Sequence, residues 1–500
     1  MHTTGAAPRA AGGRTPHDFA TAGVLLVAAV VGLGHLAASF CAEYWFDEAY
    51  MLAMGRYHLD WGYVDQPPLV PALAAAMDWL VPGSTVVLRL PAVLASTAAV
   101  VLAALIAREL GADRRAQIIA AIAQPGALWV TLTGHWMTPY TMEPLVWGLI
   151  TWLLVRWVRL RQDWLLVLLG LVVGIGTQTK FQVFMLCGAL LVSVLVLGPR
   201  ELLRRPMLWA GIGLALLIAL PTLLWQATNG WPQLRMAGVV ANESAELSTG
   251  GRLGTAVALV ALAGIAGSVL LVLGLWRLLR GAELRDYRFL GLTFVLLYLV
   301  IVIGGGRFYY LGGIYPLLIA AGAVALQRRR ATGRVGLRWM AVPACALSLV
   351  STAGVLVLSS AMTPAATWAA NLAGVTSGEN LAGRATTVYR KLPQQVRERT
   401  AIIGDSYLIA AYIEAYGRRY EPPATYSTNR GYGYLPPPPA ERDTVLYVGS
   451  RPQAMGAYFG QMRLLSPGTA EDTSVWLLTQ RRESWNRIWS ELRDLDLANR

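Results

Sequence analysis

Charged residues are scarce in this sequence. Asp, Glu, Lys and Arg together make up 14% of its 500 residues, whereas soluble globular proteins carry about 25%. Hydrophobic residues make up 55%, and the mean hydropathy is +0.47. This deficit of charge argues against a soluble globular protein and predicts an integral membrane protein.

Lysine and cysteine are also rare. Only Lys180 and Lys391 are lysines among the 42 basic residues. The net charge of +13 would suit nucleic acid, but basic residues of membrane proteins collect in cytoplasmic loops, so we expect no nucleic-acid partner. Cys41, Cys187 and Cys345 lie in or beside apolar runs, and their number and spacing fit neither a disulfide framework nor a metal site. The sequence shows no internal repeat, which removes support for an inverted-repeat transporter.

Eleven apolar runs predict about 11 transmembrane helices. Residues 1–17 are predicted to be a disordered cytoplasmic tail, and the first run, from about Ala20 to Phe40, is long enough to span a bilayer rather than to act as a signal peptide. The other runs lie near 85–107, 117–133, 142–155, 164–177, 182–197, 207–225, 253–276, 289–304, 311–326 and 339–360.

The distribution of basic residues sets the predicted orientation. With the N-terminus inside, the inner segments contain 20 basic residues, and the outer segments with their margins contain 6. This bias is typical of a cytoplasmic N-terminus. Because the number of predicted spans is odd, the C-terminal part is expected on the extracytoplasmic side of the membrane.

The chain divides into a membrane domain, residues 18–360, and a soluble extracytoplasmic domain, residues 361–500. The membrane domain has a long first outer loop, residues 42–84. After residue 361 the charge rises, and strand-like runs occur at 400–404, 444–449 and 474–479. A helical stretch, SYLIAAYIEAYG, follows the first of them, so we expect a small α/β domain.

Acidic residues gather in the first outer loop. Asp47 and Glu48 follow the first span, and Asp65 and Gln66 precede a Pro-Pro pair. One interpretation is a catalytic carboxylate held at the membrane surface. The alternative is helix capping and ordinary solvation.

Further polar residues lie in other predicted outer segments. The second outer loop, GHWMTPYTME, contains His135 and Glu143, and Lys180 lies in GIGTQTKFQ between two spans. Glu143 suits either a cavity or the N-terminal dipole of a helix. Lys180 needs an anionic partner, which is an acidic side chain, a lipid headgroup or a substrate phosphate, unless it snorkels to the interface.

Arg307 stands between glycines and tyrosines in GGGRFYYLGGIYP, where it either contacts a ligand phosphate or belongs to an interfacial aromatic belt. A fifth polar cluster, at 223–244, contains Trp225, Trp231 and Arg235. All five clusters fall on the outer side of the predicted topology. Carboxylates and cations together predict a site that transfers a group from a lipid phosphate, with a base for the acceptor and cations for the leaving phosphate.

Several segments resemble a known family. They are YWFDEAYMLAMGRYHLDWGYVDQPPLVPAL at 44–73, LRLPAVL at 88–94, GTQTKF at 176–181, LLWQATNGWP at 223–232 and RFYYLGGIYPLLIAAGA at 307–323. In this order they resemble the membrane glycosyltransferases of the GT-C fold, in the bacterial branch similar to protein O-mannosyltransferases and the aminoarabinose transferase (glycosyltransferase family 39-like). The resemblance implies an all-α polytopic membrane domain with a small C-terminal α/β domain, located in the bacterial plasma membrane.

The resemblance also implies an activity. The donor would be a hexose or pentose linked to polyprenyl phosphate, the acceptor a glycan, lipid or protein, and the reaction an inverting displacement with Asp47 as base. The catalytic residues implied or expected beside it are Glu48 and Glu143. Lys180, Arg307, Tyr309 and Tyr310 are expected to bind the donor phosphate or lipid. Tyr50, Asp65, Gln66, His135 and Gln178 are expected to contact substrate.

Two features separate this chain from the families it resembles: it ends in a C-terminal domain, where the eukaryotic O-mannosyltransferases carry an inserted lumenal domain, and it lacks one lysine of the aminoarabinose branch. Gln66 stands where the aminoarabinose branch has a lysine, so neither a phosphate contact at this position nor that donor is expected.

We predict no metal or other cofactor; the alternative is a divalent cation held by Asp47, Glu48, His135 and Glu143. The competing function is a membrane transporter or lipid flippase, which should carry polar residues at mid-membrane depth and repeated halves.

Overall fold

The computed structural model describes residues 17–41, 43–247, 251–332, 338–361, 377–468 and 473–496. Most of the tail predicted at 1–17 lies outside these residues. The described chain forms a long helical region followed by a small α/β unit, here called the C-terminal domain (residues 377–468 and 473–496).

The helical region contains sixteen α-helices among the described residues. They are α1 (Thr21–Ala38), α2 (Phe46–Tyr57), α3 (Leu69–Leu80), α4 (Thr85–Glu109), α5 (Arg114–Ala123), α6 (Leu128–Thr133), α7 (Pro139–Leu160), α8 (Trp164–Thr179), α9 (Gln182–Leu197), α10 (Pro206–Thr228), α11 (Pro232–Leu247), α12 (Gly251–Ala261), α13 (Ile265–Arg280), α14 (Arg288–Gly304), α15 (Tyr315–Ala331) and α16 (Arg338–Ser360). Short 3-10 helices cover Gln124–Gly126, Arg200–Arg204, Ala282–Tyr287, Gly312–Ile314 and, in the C-terminal domain, Arg430–Tyr434.

Every predicted apolar run coincides with a helix or with an interrupted pair of helices, which confirms a multi-pass helical membrane region. Five helical segments in the described chain are long and apolar enough to cross a membrane, or six if the bent pair α12–α13 is one span. The shorter apolar helices α3, α8 and α9 have 12 to 16 residues.

Two runs predicted as continuous spans, 117–133 and 253–276, are instead broken. The first breaks at the Gln124–Gly126 turn, and α12 and α13 meet at an angle of 94°. The breaks pack on each other: the Leu128 N–H donates to the Leu262 carbonyl at 2.8 Å. A Cβ on Gly264, whose φ is +79°, would lie 1.8 Å from the Gly126 carbonyl oxygen, so only glycine fits. Hydropathy alone did not reveal these breaks because the apolar residues around Gln124–Gly126 and Gly264 keep the average hydropathy of both runs high.

The C-terminal domain holds a five-stranded sheet in the order β2-β1-β3-β5-β4. The strands are β1 (Thr400–Gly404), β2 (Thr425–Tyr426), β3 (Thr444–Val448), β4 (Phe459–Ser466) and β5 (Val475–Arg481), and the helices are α17 (Gly378–Arg390), α18 (Gln394–Glu398), α19 (Tyr407–Ala415), α20 (Gly417–Tyr420), α21 (Gln453–Gly456) and α22 (Trp485–Leu492). The three predicted strands are confirmed as β1, β3 and β5, which form the middle of the sheet, and the predicted helix is α19. The missed strands are the two edges, one very short and the other largely exposed.

The C-terminal domain shares a hydrophobic core with the first outer loop. The buried cluster of α2, α3 and α4 continues without interruption into α17, α19 and the sheet. Ionic contacts reinforce it: Asp78 accepts from Arg56 at 2.7 Å and from Arg418 at 3.0 Å. This contact places the C-terminal domain on the same side as the first outer loop, as the predicted topology requires.

Candidate active site

Asp47 occupies the first turn of α2 and is partly buried. It is hydrogen-bonded to Tyr140, the second residue of α7. Trp45 Nε1 donates to the Tyr140 hydroxyl oxygen at 2.8 Å. Because that oxygen already accepts from Trp45, its own proton is free to point at the Asp47 carboxylate, which fixes the carboxylate's orientation.

Burial and neighbouring groups shift the pKa of Asp47 in opposite directions. Burial raises the pKa of its carboxyl group to about 6, and nearby Asp65 adds to the rise, while Arg430, Tyr140 and Arg307 oppose it. Asp65 itself accepts from the Tyr50 hydroxyl at 3.3 Å, and burial raises the Asp65 pKa as well. A carboxyl group with such a pKa is well suited to accept a proton near neutral pH.

Glu48 lies next to Asp47 in sequence but has a different environment. Its carboxylate pairs with Arg89 at 2.8 Å, and both side chains are fully buried. One Glu48 oxygen also accepts from the Met137 N–H at 3.1 Å. These contacts join α2, α4 and the second outer loop, and they favour a structural role for Glu48 over the predicted catalytic one.

Lys180 follows the last residue of α8, and the structure provides the acidic partner that its position required. Its Nζ lies 3.1 Å from Oε2 of Glu143 in α7. The ammonium also lies 4.7 Å from the Tyr310 ring centroid and 5.5 Å from that of Tyr309, and such cation–π contacts stabilise a cation in a dry site. The buried Glu143 Oε1 has no hydrogen-bond partner among the described residues.

Aromatic rings connect the Lys180 and Asp47 groups. The Tyr140 and Tyr309 ring centroids are 5.5 Å apart, and Lys180 lies 5.7 Å from the Tyr140 ring. Trp129 stacks on Tyr309 at 4.5 Å, which holds that ring in place. Tyr140 therefore contacts both the predicted base and the predicted phosphate-binding lysine.

Arg307 completes the predicted set. Its Nη2 lies 2.5 Å from Oε2 of Glu243 in α11, and Arg430 of the C-terminal domain pairs with the other Glu243 oxygen. Arg307 acts electrostatically on both Asp47 and Lys180. The buried Arg307 Nη1 has no partner among the described residues, so a nitrogen able to donate to a ligand remains in the site.

These interactions define what we call the polar cluster: Asp47, Asp65, Glu143, Glu243, Lys180, Arg307 and Arg430. It combines a carboxylate able to take a proton with three cations able to stabilise a phosphate. No three His, Cys, Asp or Glu side chains in the described residues are arranged to hold a metal ion.

Three predicted substrate residues, Gln178, His135 and Gln66, differ in their surroundings. Gln178 bridges α8 and α10, donating to the Ile218 carbonyl and accepting from Thr222, each at 2.9 Å. His135 is fully buried and packs against His35 at a centroid distance of 5.8 Å. Gln66 is buried, and its Nε2 has no partner in the described chain. The structure thus gives Gln178 hydrogen bonds between helices, whereas both ring nitrogens of His135 and Nε2 of Gln66 have no partner among the described residues.

Sequence reasoning did not select four residues that the structure brings to the site, namely Tyr140, Glu243, Tyr407 and Arg430. For Arg430 a signal was present, because YSTNRGYGY combines arginine with glycine and tyrosine as the segment around Arg307 does. Glu243 lies within the 223–244 segment, but its pairing with two distant arginines depends on tertiary contacts.

Comparisons with known proteins agree with this architecture. The family model for dolichyl-phosphate-mannose-protein mannosyltransferase matches residues 65–225. The structure of ArnT from Cupriavidus metallidurans in the apo state superimposes with a TM-score of 0.63 at 16% identity, covering 91% of this chain and 98% of that one. ArnT from the same organism bound to undecaprenyl phosphate superimposes with a TM-score of 0.60 and the same identity and coverage. No curated protein matches significantly in sequence.

The likeness over nearly the full length of both chains confirms the predicted fold. The chain has a GT-C fold, with a helical membrane region and a small C-terminal α/β domain. At 16% identity the agreement concerns the architecture, and the chemistry has to be argued from the residues of this chain.

Proposed function

We propose that this protein is a membrane glycosyltransferase that moves a monosaccharide from a polyprenyl-phosphate donor to an acceptor at the outer membrane face. The observation that carries the proposal is the contact of Tyr140 with both Asp47 and Lys180, with Arg307 close enough to act on both. In a single displacement, the base takes the proton of the attacking hydroxyl, and the two cations stabilise the phosphate that leaves.

In the proposed step the acceptor hydroxyl attacks the anomeric carbon while Asp47 takes its proton. The bond between that carbon and the phosphate oxygen breaks, and polyprenyl phosphate leaves with the electron pair. A single displacement inverts the configuration at the anomeric carbon. Lys180 and Arg307 stabilise the charge that develops on the phosphate, a contribution that is large in a water-poor site.

The comparisons support a lipid-linked donor. One similar structure contains undecaprenyl phosphate, and the matching family model describes transfer from dolichyl-phosphate-mannose. We propose a hexose or pentose as the transferred sugar and a glycan, lipid or protein as acceptor. The proposed location is the bacterial plasma membrane, with a cytoplasmic N-terminus and an extracytoplasmic C-terminal domain.

The direct test is to incubate the purified full-length protein with a panel of polyprenyl-phosphate sugars and candidate acceptors. We expect at least one donor sugar to be transferred. Its polyprenyl phosphate should be released, and the product should have the inverted anomeric configuration. Movement of the intact lipid across a vesicle membrane without cleavage would contradict the proposal and favour a flippase.

Replacing Lys180 by alanine should raise the Michaelis constant for the donor about 10- to 100-fold, the effect of losing one charge-assisted hydrogen bond to phosphate. The measurement is the donor dependence of the initial rate. The matched control is Lys391→Ala, which removes the only other lysine from an exposed position at the end of α17. An unchanged donor constant in the Lys180 variant would remove the phosphate role.

The pH dependence should report the Asp47 carboxylate. Because its pKa is raised to about 6 and the deprotonated form is the active base, kcat/KM should stay high above pH 6. Below that value it should fall about tenfold per pH unit as the carboxylate becomes protonated. A rate that rises as the pH is lowered from 7 to 5 would contradict this assignment.

A further inference from the structure

Arg430 brings a cation from the C-terminal domain into the polar cluster. Its backbone N–H donates to the Asp494 carbonyl at 2.8 Å, and its Nε donates to the Leu495 carbonyl at 3.2 Å. Its backbone lies in the left-handed region, with φ of +45°, which an arginine rarely adopts without surrounding support. The final described segment of the chain thus holds this side chain in a fixed direction.

The guanidinium of Arg430 lies deep in the molecule. The residue is 7% exposed, and its guanidinium carbon lies 4.8 Å from the Tyr407 ring centroid in a cation–π contact. Nη1 donates to the Tyr407 hydroxyl at 3.2 Å, and Nη2 pairs with Glu243. Arg430 also acts electrostatically on Asp47 and Asp65, so it belongs to the same site as the proposed base.

Glu243 is shared by two arginines from different parts of the chain. Arg307 contacts one of its oxygens and Arg430 contacts the other. Two guanidinium groups on one carboxylate retain N–H groups that this single anion does not use. One of them is on the buried, unpartnered Nη1 of Arg307. A buried donor without a partner is costly, and a phosphate has the acceptor oxygens to satisfy it.

The first outer loop cannot supply these cations. Its only Lys or Arg is Arg56, which is held by Asp78 at 2.7 Å and by the Ala415 carbonyl at 3.1 Å. Gln66 in the same loop is neutral. Cations for a donor phosphate must therefore come from other elements, and among the described residues the polar cluster provides Lys180, Arg307 and Arg430.

We propose that Arg430 binds the donor phosphate together with Arg307, so that the C-terminal domain forms part of the donor site. Tyr407 and Glu243 act as positioning residues that orient the two guanidinium groups. This inference rests on the proposed function, because it assigns a residue to the same lipid-linked donor. It also gives the C-terminal domain a direct role in binding, beyond covering the first outer loop.

The test measures binding of polyprenyl phosphate to the purified full-length protein by native mass spectrometry. Arg430→Gln should weaken binding about 10- to 100-fold, as expected for the loss of a charge-assisted contact. Arg430→Lys should give an intermediate loss because it keeps the charge but not the forked geometry. The matched control is Arg487→Gln, which alters an exposed arginine of α22 in the same domain and should not change binding.

A second comparison separates phosphate binding from simple neutralisation of Glu243. In a Glu243→Gln background Arg430 has lost its carboxylate partner. If Arg430 contacts the phosphate, adding Arg430→Gln should still weaken binding about tenfold or more. If Arg430 only balances Glu243, the double variant should bind as well as Glu243→Gln alone, and the proposal is overturned. Thermal unfolding of each variant identifies any that fail to fold.

The outcomes also distinguish this inference from the proposed function. If the wild-type protein binds polyprenyl phosphate no better than the unphosphorylated polyprenol, the proposed function itself fails. If the wild type prefers the phosphate and Lys180→Ala weakens binding while a folded Arg430→Gln variant does not, only the role of Arg430 fails. Weakening by both substitutions, with Arg487→Gln unchanged, supports both.

Discussion

Replacing Asp47 by asparagine should lower sugar transfer about 100- to 10,000-fold, the range for loss of a general base. Asparagine has nearly the same shape and can still accept the hydrogen bond from Tyr140, so the protein should remain folded and inserted. Its amide cannot take a proton from the acceptor hydroxyl. The measurement is the initial rate of polyprenyl phosphate release at saturating donor and acceptor.

The control for this variant is Asp60→Asn. Asp60 lies in the same outer loop but is exposed and accepts from Trp225 Nε1 at 2.8 Å, outside the polar cluster. Its substitution should leave the rate within about twofold, in keeping with the small effects of surface changes. Wild-type turnover by the Asp47 variant would remove Asp47 as the base and require another carboxylate, such as Asp65, which acts electrostatically on Asp47.

Replacing Glu48 by glutamine should instead destabilise the protein, by about 3–5 kcal/mol, because it leaves Arg89 buried without its counter-charge. Arg89 cannot move to water, since it also donates to the carbonyls of Ser39, Cys41 and Glu43, around the end of α1. The expected observation is a clear fall in the thermal unfolding midpoint of the purified protein, measured under identical detergent conditions.

The decisive readout separates stability from chemistry. At a temperature where the Glu48→Gln variant remains folded, its turnover per folded molecule should stay within about tenfold of wild type, far above that of Asp47→Asn. A variant with an unchanged midpoint and a rate as low as that of Asp47→Asn would mean that Glu48 takes part in the reaction and that its assignment as structural is wrong.

Neighbouring residues on α2 illustrate how far sequence reasoning reaches. The Asp-Glu pair predicted an important carboxylate, but it did not distinguish the two residues. Successive residues on an α-helix point about 100° apart. One carboxylate therefore faces the polar cluster while the other faces Arg89, and only the packing of α2 against α4 decides which is which.

Glu243 and Arg430 were not identified from the sequence for a similar reason. Arg307 and Lys180 were selected because each lies in a local segment of unusual composition. Glu243 and Arg430 are 187 positions apart, and their pairing depends on the C-terminal domain packing on the first outer loop. The two broken spans were also missed, since the contact between Gly264 and Gly126 joins segments distant in the chain.

Composition and local pattern by themselves determined that this chain is a multi-pass membrane protein with a small C-terminal α/β domain. They could do so because hydrophobicity, helix length and strand propensity are properties of short segments. Tertiary structure alone decided which charged groups meet and that Arg430 of the C-terminal domain enters the site. Electrostatic pairing acts over a few ångströms in space, whatever the separation along the chain.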